Sequence, residues 1–526
     1  MNTILMISLF IFSISGIFLL QREIQMYQQN SYYPSRYLGW LKSNTDIYFL
    51  FTALFFIITL TLAIIGSKYI IIFALIELLA SVIRHIKLQK QSIKKLVYTN
   101  RVIRLIITAS LLFLVLCLLY LLFKKFYFIS AFLIIVLVHF PQILLLLSDF
   151  INKPIENSVK KYYINDAKAI LNRNQNLSVI GITGSYGKTS VKFILKRILK
   201  EKYNVVATPE SFNTPMGIVR TIREHLKPST EIFIAEMGAK NPGDIKELCD
   251  ICNPKTGIIT AVGSQHLETF KTVETVAKTK FELADHCLKN NGNIYVNFDS
   301  SPIRDHIKSA EYKNHIISFG TGSSADCVAK NINIDLDGTY FTIEYKDHSF
   351  PVSSKLLGKH SITNILGAVA LALDLGVNER EIRYAVNTLK APPHRLELKP
   401  FINGAVLIDD AYNSNPEGCI EAVNVLGSFK DMKKVIVTPG LVELGDREYD
   451  CNYNLGAAAS EQCDFIILVG KNRAVPMQNA LKDKGYNENK LYIAESFKAA
   501  MEKLHEITDK NTVVLFENDL PDNYAG

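Results

Sequence analysis

The sequence predicts a helical membrane bundle followed by α/β domains built on parallel sheets. Three observations carry this expectation. Long apolar runs crowd the first 150 of the 526 residues. Short apolar strands then alternate with helix-period patterns to the end of the chain, which is the rhythm of parallel sheets. A glycine-rich turn between residues 183 and 190 joins the first such strand to the first such helix.

Taken in order, the apolar runs occupy about Asn2 to Leu20, Ile47 to Gly66, Tyr69 to Ile83, Leu105 to Phe123 and Phe126 to Ser148. A helical span needs about 20 apolar residues. The third run is short and carries Glu77, so it reads either as a short span or as half of a hairpin with the second. Charge favours five spans. The chain holds 58 basic and 50 acidic residues, a formal charge of +8, and the first 150 residues alone hold 13 basic and 4 acidic ones. The excess belongs to the membrane end, which removes the support a basic chain would lend to nucleic-acid binding. Arg84, Lys87, Lys90, Lys94, Lys95, Arg101 and Arg104 share one stretch with no acid, and positive-inside bias places it in the cytoplasm. Counting spans from there puts the N-terminus outside and everything after Ser148 inside. The first run has no basic residues ahead of it and no evident cleavage site, so it reads as a retained span. Glu77 and His139 mark either a proton or substrate path or a pair at a span end. Eight scattered cysteines, with only Cys249 and Cys252 at metal-ligand spacing, read as free thiols of a reducing compartment.

Residues 151–175 read as a polar linker. Strands follow at Leu177 to Ile182, Ile232 to Ala235 and Thr256 to Val262, and later at Val406 to Ile408, Lys434 to Thr438, Phe465 to Val469 and Thr512 to Phe516. The segment from about Asn293 to Val352 alternates as in Tyr340-Phe-Thr-Ile-Glu-Tyr345 and reads as a small β insertion. A new unit begins near Pro393, giving expected domains at 176–390 and 391–526.

The turn reads Thr183-Gly-Ser-Tyr-Gly-Lys-Thr-Ser190. Gly184 and Gly187 let the N–H groups of Gly184, Ser185 and Gly187 close on phosphate oxygens, and the following helix adds its dipole. Lys188 supplies a point charge, and Thr189 and Ser190 offer hydroxyls, Thr189 toward Mg²⁺. Ile182 stands where a strict P-loop has its outer glycine. Glu236 ends a strand and is placed to bind Mg²⁺, although a solvated loop carboxylate fits the same pattern. His266 follows the next strand, as an unremarkable loop histidine also would. Val273, Val276, Leu283 and Cys287 mark the buried stripe of a helix, and Lys280 falls on that stripe while Lys278 does not. An inward ammonium is costly and its pKa falls; a neutral amine there could take up CO₂ as a carbamate.

Together with Asn213-Thr-Pro215, Glu236-Met-Gly-Ala239, His266-Leu-Glu268, Leu357-Gly-Lys-His-Ser-Ile-Thr-Asn364, His394-Arg-Leu-Glu397 and Asp409-Asp-Ala-Tyr-Asn-Ser-Asn-Pro416, this turn resembles the Mur ligases over roughly residues 176 to 526. Within that family the resemblance is strongest to the branch that adds D-alanyl-D-alanine in peptidoglycan synthesis. It implies a central ATPase domain, a C-terminal Rossmann-like domain, and a bacterial ATP-dependent amide ligase working through an acyl phosphate. It further implies that Lys188 holds the β and γ phosphates and that Thr189 and Glu236 hold one of two Mg²⁺ ions. His266 would bind the second, with Lys280 as its carbamylated lysine. Asn364 would meet adenine, Arg395 phosphate and Asp410 ribose. Asn213, Thr214, Tyr412, Asn413 and Asn415 would face the substrates, a UDP-muramyl peptide acceptor and D-alanyl-D-alanine as amine. Two departures stand out. Ser361 replaces the first of two asparagines, and only about 27 residues separate the last span from the P-loop strand, too few for the family's UDP-sugar domain. The membrane bundle stands in its place, in contact with lipid, so a lipid-linked acceptor or a poly-γ-glutamate-like substrate is the alternative. An ATPase-driven transporter or sensor is the competing class; it leaves Lys280 and the Asp409 to Pro416 motif without a role.

Overall fold

The computed structural model describes the whole chain except residues 1–2, 44–46, 92–94, 124–126, 210–211, 264–266, 310–311, 313–315, 323, 336, 392–393, 412–415, 443, 445–446, 471–473 and 519–526. Two compact units emerge, Met1–Tyr163 and Ile164–Gly526.

The first unit is all helical. Its helices are α1 (Thr3–Gln29), α2 (Pro34–Ser43), α3 (Ile47–Ile65), α4 (Ile70–Gln91), α5 (Asn100–Leu122) and α6 (Tyr127–His139), followed by α7 (Pro141–Arg173), which runs on into the second unit. Each apolar run therefore forms helix, but the five-span expectation is not met. Among the described residues two helices, α1 and α5, are long and apolar enough to cross a membrane, or three if α6 and α7, bent by 97°, count as one broken span. The reasons are local. The chain breaks around Phe140, where Pro141 opens α7 without a backbone N–H to extend the preceding ladder. Helix α4 continues past its apolar run into Arg84, His85 and Lys87. One core of this unit gathers Leu9, Phe12, Ile70, Ala74, Tyr120, Ile134, Ile135 and Val138. Glu77 and His139 are buried in it and meet each other, with Nε2 of His139 3.2 Å from Oε2 of Glu77 and 3.3 Å from the Thr59 hydroxyl. That is the paired-neighbour arrangement.

The expected linker is also different. Residues 151–173 are helical, because α7 continues to Arg173 with Pro154 inside it. Its polar residues read as linker composition, yet several find partners. Asp149 lies 3.3 Å from the Arg101 guanidinium, Glu156 lies 2.7 Å from Arg104, and the Asn152 carbonyl accepts from the Thr108 hydroxyl at 2.8 Å.

In the second unit the strands are β1 (Ser178–Thr183), β2 (Val205–Ala207), β3 (Ile232–Glu236), β4 (Thr256–Ile259), β5 (Asn293–Asn297), β6 (Ile316–Gly320), β7 (Cys327–Asp335), β8 (Gly338–Tyr345) and β9 (His348–Ser354). They form one nine-stranded sheet in the order β2-β3-β1-β4-β5-β6-β7-β8-β9. Pairing is parallel from β2 to β7 and antiparallel from β7 to β9. The segment read as an insertion is thus split. Strands β5 and β6 continue the parallel sheet, and only the two hairpins of Cys327–Ser354 are antiparallel, attached to the same sheet edge. Alternation appears there because one face of β8 meets solvent, whereas β3 is buried on both faces and shows none.

The helices of this part are α8 (Lys188–Leu199), α9 (Pro215–His225), α10 (Asp244–Cys252), α11 (Leu267–Phe270), α12 (Val273–Lys289), α13 (Ser301–Ser309), α14 (Lys359–Asp374) and α15 (Glu379–Asn387). Helices α8 and α14 share a core with β1, β3 and β4 that includes Ile180, Ile182, Val191, Leu195, Ile234, Ile258, Ile365 and Leu366. A second sheet of six strands follows in the order β10-β11-β15-β12-β13-β14, where β10 is Glu397–Pro400, β11 Val406–Asp410, β12 Lys433–Thr438, β13 Phe465–Val469, β14 Leu491–Ala494 and β15 Thr512–Glu517. Only β10 is antiparallel to its neighbour. Both sheets are α/β and mainly parallel, so their ligand-binding ends are the carboxyl ends of the strands.

Candidate active site

The turn from β1 into α8 requires glycine at two places. Gly184 has φ +152° and a Cβ there would sit 2.1 Å from the Thr260 hydroxyl. Gly187 has φ +80°, and a Cβ there would sit 2.9 Å from Oδ1 of Asn364. Bare backbone is what a phosphate cradle needs. The loop is pinned to the end of β4 by the Ser185 N–H, which donates to the Ala261 carbonyl at 2.6 Å, and by the Ser185 hydroxyl, which accepts from the Gly263 N–H at 3.1 Å. Lys188 opens α8, and its ammonium donates to the carbonyls of Gly184 and Ser185 at 2.7 and 2.8 Å. Ser190 follows in the same first turn.

Beside the cradle stands the buried carboxylate of Glu236, 1% exposed at the end of β3. Its Oε2 accepts from the Thr189 hydroxyl at 3.1 Å, and its Oε1 accepts from the Asn213 carboxamide at 3.2 Å. Oε2 also lies 2.8 Å from the ammonium of Lys192, which is equally buried. Lys192 was not read from the sequence. The signal was available: Val191, Lys192, Ile194, Leu195, Ile198 and Leu199 make the buried face of α8, so a lysine inside that stripe demands an acid. Asn213, expected near the substrates, instead holds Glu236. Thr214 caps α9 by accepting from the Gly217 N–H at 3.3 Å.

Lys280 is 3% exposed on the inner face of α12, while Lys278 is exposed. Burial pushes its ammonium down to about 7, and the charge of Lys188 lowers it further against Asp244 and Glu282. Burial lowers Lys188 too, opposed by Glu236. Glu282, two residues on, accepts from the N–H groups of Gly243 and Lys246 at the start of α10, so α12 and α10 are locked together around the lysine.

Asn364 lies on α14, against Gly187, and Ser361 one turn earlier on the same helix. Asp299, unnoticed in the sequence, accepts from the Thr363 hydroxyl at 2.9 Å and from Thr321, which ties α14 to the ends of β5 and β6. Burial would raise the Asp299 carboxyl, yet the hydrogen bonds from Thr321 and Thr363 hold it below the usual range.

At the second sheet, the turn before β10 carries Arg395 between His394 (φ +58°) and Leu396 (φ +46°). Left-handed backbone at a leucine is strained and persists only where surroundings enforce it. Here the Leu396 N–H donates to Asp410 at 3.1 Å and Nδ1 of His394 lies 2.8 Å from Asp409. Burial pushes the Asp410 carboxyl up to about 6, opposed by the Leu396 N–H, Glu517 and the Arg395 charge. Asp410 and Glu517 are register partners on adjacent parallel strands. His266, Tyr412, Asn413 and Asn415 lie outside the described residues.

Residues 182–372 match the Mur ligase middle domain, and residues 394–517 match the Mur ligase, glutamate ligase domain. The chain belongs to the Mur ligase family. It is 29% identical over 353 residues to the UDP-N-acetylmuramoyl-tripeptide--D-alanyl-D-alanine ligase of Bacillus subtilis, covering 67% of this chain and 75% of that one. The Escherichia coli protein of the same name is 31% identical over 295 residues, 56% of this chain and 64%, slightly under two thirds, of its own length. A solved MurF ligase from Thermotoga maritima, in complex with ADP, superposes with a TM-score of 0.59 at 27% identity over 68% of this chain and 80% of that one. The Mur ligase matches begin at Ile182, after the first unit.

The donor set suits a magnesium nucleotide. Among the described residues no three His, Cys, Asp or Glu side chains cluster as for a metal held by protein alone; the Thr189 hydroxyl and the Glu236 carboxylate present oxygen, the ligand Mg²⁺ prefers, and Mg²⁺ commonly completes its shell with phosphates and water. Of the turn's N–H groups expected to meet phosphate, that of Ser185 is already taken by the Ala261 carbonyl, because it pins the loop to the end of β4.

Two predictions follow from the buried charges. Lys192→Met leaves Glu236 without its cation, and loss of one partner of a buried pair costs about 3–5 kcal/mol; denaturant unfolding should show that loss, with Lys192→Arg closer to the parent. For Lys280, the folded site releases its proton near 7 while the unfolded chain keeps it to about 10.5. The unfolded state therefore binds more protons between those values, and stability climbs with pH across that window. Lys280→Met should flatten the climb, read as the pH slope of the unfolding midpoint.

Proposed function

We propose that this chain is an ATP-dependent peptide ligase that joins D-alanyl-D-alanine to UDP-N-acetylmuramoyl-tripeptide in peptidoglycan precursor synthesis. The observation that carries the reading is the convergence of Lys188, Thr189, Glu236 and Lys280 at the carboxyl ends of β1 and β3, in a chain matched by both Mur ligase domains. The ADP-bound relative supports ATP as the nucleotide.

ATP supplies the phosphoryl group that converts the acceptor carboxylate into an acyl phosphate, from which the incoming amine displaces phosphate. The chain's own residues do the rest. The N–H groups of the turn and the start of α8 bind phosphate oxygens, and Lys188 places its charge where negative charge accumulates during transfer. Thr189 and Glu236 would hold one Mg²⁺, and His266 would contribute to a second. Lys280, with its amine largely neutral just above pH 7, would add CO₂, lose one proton and become a carbamate; the anion would then complement the cations that an ammonium repels. Asn364 would meet the base, Arg395 the phosphates and Asp410 the ribose, while Tyr412, Asn413 and Asn415 would grip the amine.

The first unit would sit in the membrane. Its apolar exposed helices and its basic stretch from Arg84 to Arg104 support that reading, with the ligase domains in the cytoplasm of a bacterial cell and the N-terminus outside. Because α7 ends at Arg173 and β1 begins at Ser178, no further domain lies between the helical unit and the P-loop strand, so a lipid-linked acceptor is the alternative that the membrane unit leaves open.

Full-length protein in detergent, given ATP, D-alanyl-D-alanine and UDP-muramyl tripeptide, should yield the pentapeptide product by mass spectrometry, and Lys188→Ala should reduce its formation on the order of 10²–10³-fold with circular dichroism unchanged. Product from a lipid-linked tripeptide alone would move the acceptor to the membrane, and ATP hydrolysis with no amide product would reject the ligase. Topology is tested separately. Lys87→Cys should resist an impermeant thiol reagent in intact cells, and its labelling would invert the orientation; Ser67→Cys should react only if α3 and α4 both cross, so resistance at both positions leaves α1, α5 and the α6–α7 pair as the spans.

A further inference from the structure

Helix α7 is turned inside out relative to a helix on a water-soluble surface. Its polar side chains Asp149, Asn152 and Glu156, spaced three and four apart on one face, point at α5, where they meet Arg101, Thr108 and Arg104 at 3.3, 2.8 and 2.7 Å. The opposite stripe, Leu147, Ile151, Ile155 and Tyr162, is 47%, 47%, 50% and 65% exposed, and Phe150 beside it is 74% exposed. A soluble helix buries its apolar stripe and wets its polar one. Here the ion pairs with α5 consume the polar face, and the apolar face is left outward over four turns. Along that face Pro154, Ile155, Ser158, Val159, Tyr162 and Tyr163 line an open groove of about 510 Å³.

The place of the helix identifies what covers this stripe. Helix α7 departs at 97° from the apolar helix α6, which packs along α5, and it crosses α5 within the first turns of that candidate span, beside Arg101 and Arg104. A helix perpendicular to a spanning bundle, at the charged end of a span, lies in the plane of the headgroups. Tyr162 suits that depth, since tyrosine favours the boundary between acyl chains and water. Lys153 and Lys161 are exposed on the same helix and reach lipid phosphates, as basic residues of interfacial helices do.

We propose that the stretch of α7 from Leu147 to Tyr162 is an interfacial helix, its stripe of Leu147, Ile151, Ile155 and Tyr162 embedded in the acyl-headgroup boundary of an anionic bilayer. The inference rests on the membrane reading of the first unit. It adds that the chain does not leave the bilayer on a free tether: the last helix of the bundle is held flat against the lipid by its own side chains.

Tryptophan quenching in lipid nanodiscs containing phosphatidylglycerol tests it. In a Trp40→Phe background, single tryptophans are introduced as Leu111→Trp in the middle of α5, as Ile155→Trp and Tyr162→Trp on the stripe, and as Lys153→Trp off it. Leu111→Trp should be quenched by lipids brominated near the chain ends. Ile155→Trp and Tyr162→Trp should be quenched by lipids brominated near the glycerol, and Lys153→Trp much less by either. Quenching of Leu111→Trp with neither stripe tryptophan quenched overturns the interfacial helix while leaving the bundle in the membrane. If neither Leu111→Trp nor the stripe is quenched, the membrane reading itself falls. A stripe shielded from every quencher, in nanodiscs whose mass shows two chains, assigns the face to a second copy and overturns the proposal. Tyr162→Trp changes the helix least and keeps the test valid if Ile155→Trp does not fold.

Discussion

The buried carboxylate of Glu236 is the constraint around which the ligase core is built. An unpaired carboxylate at 1% exposure would be untenable, and three side chains from two separate segments are drawn in to satisfy it: Thr189 and Lys192 from α8, and Asn213 from the segment before α9. Since β3 pairs directly with β1, fixing this carboxylate also fixes the distance between the phosphate turn and the second strand of the site. The sheet, the turn and the helix cannot shift independently without exposing or orphaning a charge.

Around that single carboxylate stand three lysines. Lys192 is committed to it, burial lowers the proton affinity of Lys188 against the pull of Glu236, and burial followed by the Lys188 charge lowers that of Lys280. A site with this surplus of cations is complementary to a polyphosphate. Burial, assisted by the Lys188 charge, brings Lys280 down to about 7, where a substantial share of the amine is neutral and nucleophilic. At the second sheet the logic is reversed. Asp409 and Asp410 are adjacent in sequence, but Asp409 is held low by Lys399 and His394 after burial is overcome, and Asp410 is pushed up by burial. Both anchor the strained 394–396 turn, Asp409 through the His394 ring and Asp410 through the Leu396 N–H.

The helical unit follows a different pattern of exposure. Its surface is rich in large apolar side chains, its interior holds Glu77 with His139, and Arg101, Arg104, Asp149 and Glu156 pair with one another half-buried. Polar groups inside and apolar groups outside is the arrangement that a lipid environment rewards, because each polar group must find its partner within the protein. The exposed apolar stripe of α7 is one more instance of that pattern.

Much of this was legible in the sequence because it is written in short-range pattern. The strand-turn-helix around Gly184 and Gly187, the inward stripe that carries Lys280, the alternation of strands and helices and the apolar runs depend on residues a few positions apart, where periodicity and turn chemistry act. The family likeness, and with it the ligase chemistry, was carried by those same motifs. What only the tertiary structure decided involves partners far apart in the chain. Lys192 and Glu236 are 44 residues apart and become one ion pair only when β1 and β3 align; Asp410 and Glu517 meet only through the register of β11 and β15. A polar stretch such as residues 151–173 reads as linker until Arg101, Arg104 and Thr108 are seen to satisfy it, since composition records the polarity of a side chain but not the group that will pay for burying it.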